Sequence, residues 1–308
     1  MKLVVKTYKI TDFAERKLIT NVYLKPDFLS LLVKYFNLKV KYLVVTNDKS
    51  KNIVAVTVSI EKKILGIPSL INPKVIYYQP IEFFLAQRQN PNENRLQELE
   101  IIKKISDYYH KYYFKIEKNL PPEIEDVRGF VWSGINTIPL YTYRFNLENY
   151  SPGHYFNRQR AALRKAQKLA YTFSTESNID SFFRLIEGTV HRQEWNFNYD
   201  KKVLRDYINE LLRLNFVEQF SIVNQQNEIV STMFCIMNKA NKIFYGWLTS
   251  TATNELANGV STLLFHSICE YLRNDYKIFD LCGANTETIA RFKASLGAEL
   301  KVFYRIKL

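Results

Sequence analysis

The sequence predicts an α/β (α+β) protein of two domains, each a mixed, mostly antiparallel sheet flanked by helices. Three observations carry this. The chain has 308 residues, at the size where one hydrophobic core usually divides. A breaker, Ser151-Pro152-Gly153, stands near its middle, so Asn146 to Gly153 marks the boundary between a domain over 1–147 and another over 148–308. Residues 170–308 read in order as strand, helix, helix, three antiparallel strands, helix, strand, helix and strand.

In the first half, Lys2 to Lys6 starts a strand and Phe13 to Ile19 a short helix, while Phe28 to Phe36 reads equally as helix or strand. Lys39 to Thr46 and Asn52 to Ile60 are rich in Val, Ile and Thr, and Asn47-Asp48-Lys49-Ser50-Lys51 joins them as a hairpin loop. Short strands are expected at Lys63 to Pro68 and Lys74 to Tyr78, punctuated by Gly66, Pro68, Pro73 and Pro80. Leu96, Leu99, Ile102, Ile105 and Tyr109 share one face of a long helix over Leu96 to Ile116, which Asn119-Leu120-Pro121-Pro122 ends. Val127 to Trp132 and Ile138 to Phe145 read as strands.

In the second half, Asn157 to Leu169 is a helix carrying Arg158, Arg160, Arg164, Lys165 and Lys168. Tyr171 to Thr175 is a strand, and Ile179 to Arg192 and Lys201 to Leu214 are helices. Glu218 to Asn224, Ile229 to Met237 and Ile243 to Leu248 form a meander, followed by a small-residue loop over Thr249 to Asn258 and a helix over Gly259 to Tyr271. Ile278 to Leu281 is a buried strand broken by Gly283 and Asn285. Thr286 is placed to cap a helix whose apolar face is Ile289, Phe292 and Leu296. Gly297 ends that helix, and Leu300 to Ile306 is the last strand.

The formal charge is +13, which favours polyanionic partners: nucleic acid, nucleotide phosphates or an anionic membrane surface. The interleaved aromatic and basic motifs of RNA-binding sheets are missing, so a nucleic-acid module rests on charge alone. No apolar run reaches the length of a membrane span, and Met1 to Ile10 has no sustained apolar core of a secretory signal. Cys235, Cys269 and Cys282 are odd in number and far apart, as reduced thiols of a cytoplasmic protein are. His110, His154, His191 and His266 show no ligand spacing with them, so no metal is expected.

Two stretches carry a family resemblance. One is Phe279-Asp280-Leu281-Cys282-Gly283-Ala284-Asn285 with Phe292-Lys293 and Leu296-Gly297-Ala298. The other is Thr142-Tyr143-Arg144-Phe145-Asn146-Leu147 leading into Arg160-Ala161-Ala162-Leu163-Arg164-Lys165-Ala166. Together with the order of elements they resemble the FemAB-like branch of the GNAT acyltransferase superfamily, whose helix reads arginine–x–x–isoleucine–arginine–lysine–alanine; Leu163 stands at the isoleucine. The resemblance implies two tandem GNAT-like domains. It implies transfer of an acyl or aminoacyl group to an amine of a small or cell-envelope molecule, from acyl-CoA (acetyl-CoA included) or aminoacyl-tRNA. A fold shared with such enzymes is also compatible with an inactive binding or scaffold protein.

Aminolysis of an ester or thioester needs a held donor, a deprotonated amine and a stabilised oxyanion. The resemblance places Lys293 opposite the reacting carbonyl, where its replacement by Ala is expected to abolish turnover without unfolding; the plainer reading is a solvated helix lysine. Glu187, His191 and Glu194 share one helix face, so His191 and Glu194 are candidate bases, against plain surface decoration. Asn258-Gly259-Val260-Ser261-Thr262 opens a helix where GNAT enzymes resemble one another in binding the CoA pyrophosphate through backbone N–H groups. Here Asn254 and Ala257 replace the expected basic residue and glycine, and Gly259 alone fits. Tyr245 and Trp247 lie on the central strand, as acyl-tunnel lining or as core. Arg158, Arg160, Arg164 and Lys165, with Asn285, are the candidate phosphate and substrate contacts, against a solvated helix pairing with Glu148 or Glu176.

Overall fold

The computed structural model describes residues 2–14, 16–193 and 200–308. It divides into two compact units, Met1–Leu140 with Val302–Leu308, and Tyr141–Lys301. The fold is α/β, with mixed, mostly antiparallel sheet flanked by helices.

In the first unit β1 (Leu3–Lys9), β2 (Lys39–Asn47), β3 (Ile53–Ile64) and β4 (Ile67–Leu70) form an antiparallel run, and β5 (Ile81–Phe83) pairs with β3. The ambiguous apolar run is helix α1 (Pro26–Phe36), opened by a proline in its first turn and closed by Asn37 in the left-handed region. The expected helix over Phe13 to Ile19 shrinks to one 3-10 turn over Arg16–Leu18. No strand forms at Lys74 to Tyr78, where the chain turns instead and the Ile76 N–H donates to Pro73 O (3.1 Å).

Helix α2 (Pro91–Tyr112) starts before the expected span because Asn90 Oδ1 accepts from the Asn92 N–H (3.0 Å). It stops short of Ile116. Residues Lys115–Leu120 form β6 instead, parallel to β4 and antiparallel to the last strand, β13 (Glu299–Lys307), at Leu120↔Tyr304. The Ile, Leu and Val side chains of this unit close on α2 through Ile101, Ile102 and Ile105. Lys118 lies wholly inside, donating to Thr57 Oγ1 (2.6 Å), Tyr109 OH (3.1 Å) and Val58 O (3.2 Å).

Val127 to Trp132, read as a strand, is helix α3 (Arg128–Trp132). Asp126 Oδ1 accepts from the Arg128 backbone N–H (3.1 Å), and Gly129 lets α3 press against α2. A Cβ at Gly129 would lie 2.7 Å from Ile102 Cγ2 and 2.9 Å from Leu99 O.

The second unit follows the expected order. After β7 (Asn136–Asn146) come α4 (Asn157–Gln167), β8 (Thr172–Ser174), α5 (Ile179–Gln193), α6 (Lys201–Arg213), β9 (Val217–Val223), β10 (Ile229–Asn238) and β11 (Ile243–Thr251). A 3-10 turn over Thr253–Asn258 leads into α7 (Val260–Leu272), then β12 (Ile278–Asp280) and α8 (Glu287–Ser295). The strands pair in the order β7-β12-β11-β10-β9-β8, with β11–β12 parallel and the other pairs antiparallel. Phe220, Met233, Phe244, Leu264, Ile268, Phe279 and Leu296 are among the core.

Replacing Gly129 by Ala should destabilise the protein by about 1–3 kcal/mol, because the neighbour at 2.9 Å is backbone. A lower urea midpoint at unchanged slope is the expected result.

Candidate active site

The parallel pair β11–β12 is in register only through Ile243↔Ile278, Phe244↔Phe279 and Tyr245↔Asp280. Beyond that row the strands part. On its other edge β11 pairs Gly246 with Cys235 and Leu248 with Phe234, so Trp247 is an extra residue, a bulge that bends the strand. Gly246 sits at the fork, where a Cβ would come 3.3 Å from Met233 Sδ and 3.4 Å from Phe279. Bulges of this kind end pairing beside functional sites.

Asp280 closes the row on the β12 side. Its carboxylate is fully buried and accepts from Thr142 Oγ1 (2.6 Å), Arg144 Nε (2.8 Å) and the Cys282 N–H (2.9 Å). Arg144 is its cross-strand neighbour on β7. The residues carrying this network were quoted for the resemblance but given no role. Two signals mark them: an acid inside an apolar strand, and Thr142 and Arg144 two apart on one face of β7.

The loop after β12 runs along β7. Leu281 N–H donates to Tyr143 O (2.9 Å) and Ala284 N–H to Tyr141 O (2.9 Å). Asn285 continues the pairing with its side chain: Oδ1 accepts from the Tyr141 N–H (2.9 Å) and Nδ2 donates to Tyr141 O (3.3 Å). Cys282 and Gly283 both have positive φ, 46° and 58°, which turns successive carbonyls to one side. There Lys293 meets them. Its Nζ donates to Leu281 O (2.7 Å), Gly283 O (2.6 Å) and, more closely, Cys282 O.

Lys293 is therefore buried, not a solvated helix lysine, and its three N–H donors are directed at three loop carbonyls. Burial pushes its pKa down from 10.5 to about 8, with Cys282 and Asp280 opposing. The expectation that Lys293→Ala leaves folding intact is corrected by this contact set, because the substitution strands buried carbonyls. Thr286 does not cap α8 through its side chain, contrary to expectation; the Ala290 N–H bonds its backbone carbonyl (2.9 Å).

The opening of α7 is packed against α4. Gly259, at φ 78°, is its cap residue, and a Cβ there would lie 2.3 Å from Ala162 O. Thr262 Oγ1 donates to Gln159 Oε1 (2.6 Å), Lys165 Nζ to Ala257 O (2.9 Å) and Ser261 Oγ to Thr251 Oγ1 (3.1 Å), and Val260 is buried. Asn258 Nδ2 is held by Glu255 Oε2 (2.9 Å) and Tyr171 OH (3.4 Å). The Ala162 carbonyl oxygen thus lies against Gly259 on the side that a Cβ would occupy.

The remaining expectations separate. Tyr245 is buried core. Trp247 is half-buried and packs edge-on to Tyr207 of α6, with ring centroids 6.0 Å apart. Arg160 holds Gly153 O (3.1 Å) and Asn157 Oδ1. Arg158 and Arg164 are exposed. Glu148 pairs with Lys277 (3.6 Å), not with this cluster. Glu187 pairs with Lys201 (2.7 Å) on the surface. Glu194 and the side chain of His191 lie outside the described residues. Among the described residues no group of three or more His, Cys, Asp or Glu is placed to hold a metal.

No family model and no curated protein matches the sequence. Solved structures do. FemX aligns over 90% of this chain and 90% of its own at a TM-score of 0.65 with 12% identity. The C-terminal domain (DUF2156) of a putative lysylphosphatidylglycerol synthetase from Agrobacterium fabrum aligns over 95% and 90%, at 0.58 and 12%. A tandem GNAT protein from the clavulanic acid biosynthesis pathway aligns over 99% and 98%, at 0.53 and 10%. The chain shares its fold with these proteins. At these identities the likeness speaks for the fold. Within it, the fork between β11 and β12 and the Asp280 row form the centre of the second unit's sheet.

Asp280→Ala leaves the buried Arg144 guanidinium without this carboxylate and should cost about 3–5 kcal/mol, read as a lower urea midpoint. Lys293 gives a pH signature. Between about 8 and 10.5 the folded protein binds fewer protons at this site than the unfolded chain, so its contribution to stability rises with pH across that window. Chemical unfolding between pH 8 and 9.5 should show this rise, and Lys293→Met should reduce it without abolishing it, because the buried Lys118, lowered to about 7, adds a rise of the same sign.

Proposed function

We propose that the protein is an N-acyltransferase that moves an aminoacyl group from tRNA to the amine of a small or cell-envelope molecule. The observation that carries transfer is the fork beyond the Tyr245–Asp280 row, which opens a sheet centre where a carbonyl can lie between strand edges. The donor class rests on the departures from the diphosphate loop, Asn254 and Ala257 standing in place of a basic residue and a glycine, with Gly259 packed tightly against Ala162 of α4. Exposed Arg158 and Arg164 on α4, and a net charge of +13, favour a polyanionic donor.

In this reading the sequence encodes a tandem pair of GNAT-like domains, 1–147 and 148–308. Acceptor nitrogen attacks the ester carbonyl carbon, the C–N bond forms, the C–O bond to the ribose breaks, and the amine proton passes by way of His191 or Glu194 to the departing ribose oxygen, leaving an amide and a free hydroxyl. Lys293 fixes the 281–283 loop at the fork and sets a positive charge behind it, where a developing oxyanion is stabilised. Arg160 and Lys165 hold neighbouring backbone, and Asn285 holds β7, so these three position the site. The free, buried thiols Cys235, Cys269 and Cys282 suit a cytoplasmic enzyme.

A second reading, a binding protein without turnover, is favoured by the engagement of all three Lys293 donors with loop carbonyls. One experiment separates the readings and the donors. Transfer of radiolabelled amino acid from a mixed aminoacyl-tRNA pool to amine acceptors is assayed, alongside melting with CoA and acetyl-CoA. Transfer without a CoA-induced shift is the expected result. A rise of several degrees with acetyl-CoA would reverse the donor assignment. Binding of tRNA without transfer to any amine would favour the inactive protein. Arg158→Ala with Arg164→Ala should weaken tRNA binding about tenfold and flatten its salt dependence.

A further inference from the structure

The β3–β4 hairpin of the first unit ends in a run of exposed residues, Lys62-Lys63-Ile64-Leu65-Gly66-Ile67-Pro68. Ile64 pairs with Ile67, leaving Leu65 and Gly66 as a two-residue turn. Leu65 is 96% exposed, and Ile64 and Ile67 flank it at 38% and 44%. Phe114, 75% exposed, joins them, because its N–H donates to Pro68 O (3.3 Å) and the following Lys115 pairs with Ser69. Four large apolar side chains thus stand in solvent at one end of a sheet, a cluster with no packing role inside this unit.

The turn also breaks a local rule. Leu65 and Gly66 have φ of 51° and 81°, the double-positive pattern that Asn-Gly or Asp-Gly satisfies best. A γ-branched residue in the left-handed region is disfavoured by its own backbone, and here it is also denied burial. Fold stability does not account for leucine at this position. Something outside the chain that accepts an apolar tip does.

The surroundings say which kind. Lys62 and Lys63 precede the tip, Lys115 follows Phe114, and Lys111 lies on the last turn of α2; all four are exposed. The hairpin's own carboxylate, Glu61, is buried, paired with Lys41 (2.9 Å) and Lys39 (3.8 Å), and accepts from the Tyr113 hydroxyl (2.7 Å). The collar is therefore positive. Beyond Lys63 the two residues to Leu65 reach about 7 Å at a strand's rise per residue. That matches the roughly 5–10 Å to which interfacial apolar groups enter the headgroup and acyl boundary. Among the described residues no helix is long and apolar enough to cross a membrane, so such an attachment would be peripheral.

We propose that the Ile64–Ile67 tip with Phe114 inserts shallowly into an anionic lipid bilayer while Lys62, Lys63, Lys111 and Lys115 contact its headgroups. This goes beyond the transfer reaction and does not depend on it.

The test is flotation of the full chain with vesicles of phosphatidylcholine alone and with about one quarter phosphatidylglycerol. Wild type should bind the anionic vesicles at least tenfold better. Leu65→Asn keeps a turn-compatible residue, so its melting temperature should hold or rise while anionic-vesicle binding falls about tenfold. Lys62→Glu with Lys63→Glu should lose binding to a similar extent and remove its salt dependence. No preference for anionic vesicles, or equal binding by Leu65→Asn, overturns the proposal. So does lipid-free self-association, seen by sedimentation velocity, that Leu65→Asn abolishes, because the tip would then seat a second copy. The readout is binding, so its failure leaves the transfer reaction standing, and failure of transfer leaves this test intact.

Discussion

The second unit depends on one buried carboxylate. Asp280 accepts from Thr142, Arg144 and the Cys282 backbone, and so ties β7, β12 and the following loop to a single point. A buried charge is tolerated when its lone pairs are filled and an opposite charge lies against it, and Arg144 at 2.8 Å meets that requirement. The Asp280–Cys282 bond holds the loop where φ turns positive. The loop's carbonyls can then converge on Lys293, and α8 is anchored in turn. Removal of any member leaves a polar group stranded in a place water does not reach.

The same constraint shapes the chemistry. Parallel pairing between β11 and β12 ends at the Asp280 row because the chain beyond it is drawn along β7, while the Trp247 bulge bends β11. On the β12 side the backbone beyond the row is engaged, its N–H groups with β7 and Asp280 and its carbonyls with Lys293, so the edge that the fork opens is that of β11. Lys293 belongs to this arrangement as a fixed cation with a depressed pKa of about 8. Its energetic cost in the folded protein is the desolvation that a polarising charge near a reaction would exploit.

The two units contain buried lysines in different settings. Lys118 finds a hydroxyl, a phenol and a carbonyl, whereas Lys293 finds three successive carbonyls of a strained loop. Burial depresses both, Lys118 to about 7. A lysine on a strand amid apolar neighbours and a lysine on a helix face look alike as residues. What separates them is the backbone that surrounds each.

The sequence by itself determined the order of elements in the second half, the α/β class with its mixed, mostly antiparallel sheet, and the closing glycine of α8, because periodicity and turn residues are local properties. It also singled out the stretch that holds Asp280 and Lys293. Tertiary structure decided the rest. Asp126 and the close approach of Gly129 to α2 made a helix of an apolar stretch that reads as strand. Pairing with β4 and β13 drew Lys115 and Ile116, the end of a long helix pattern, into strand β6. The packing of α4 on Gly259, and the direction of three carbonyls toward Lys293, join residues scores apart in sequence or set loop dihedrals that no spacing encodes. Those are facts of distance, and a one-dimensional pattern carries spacing but not approach.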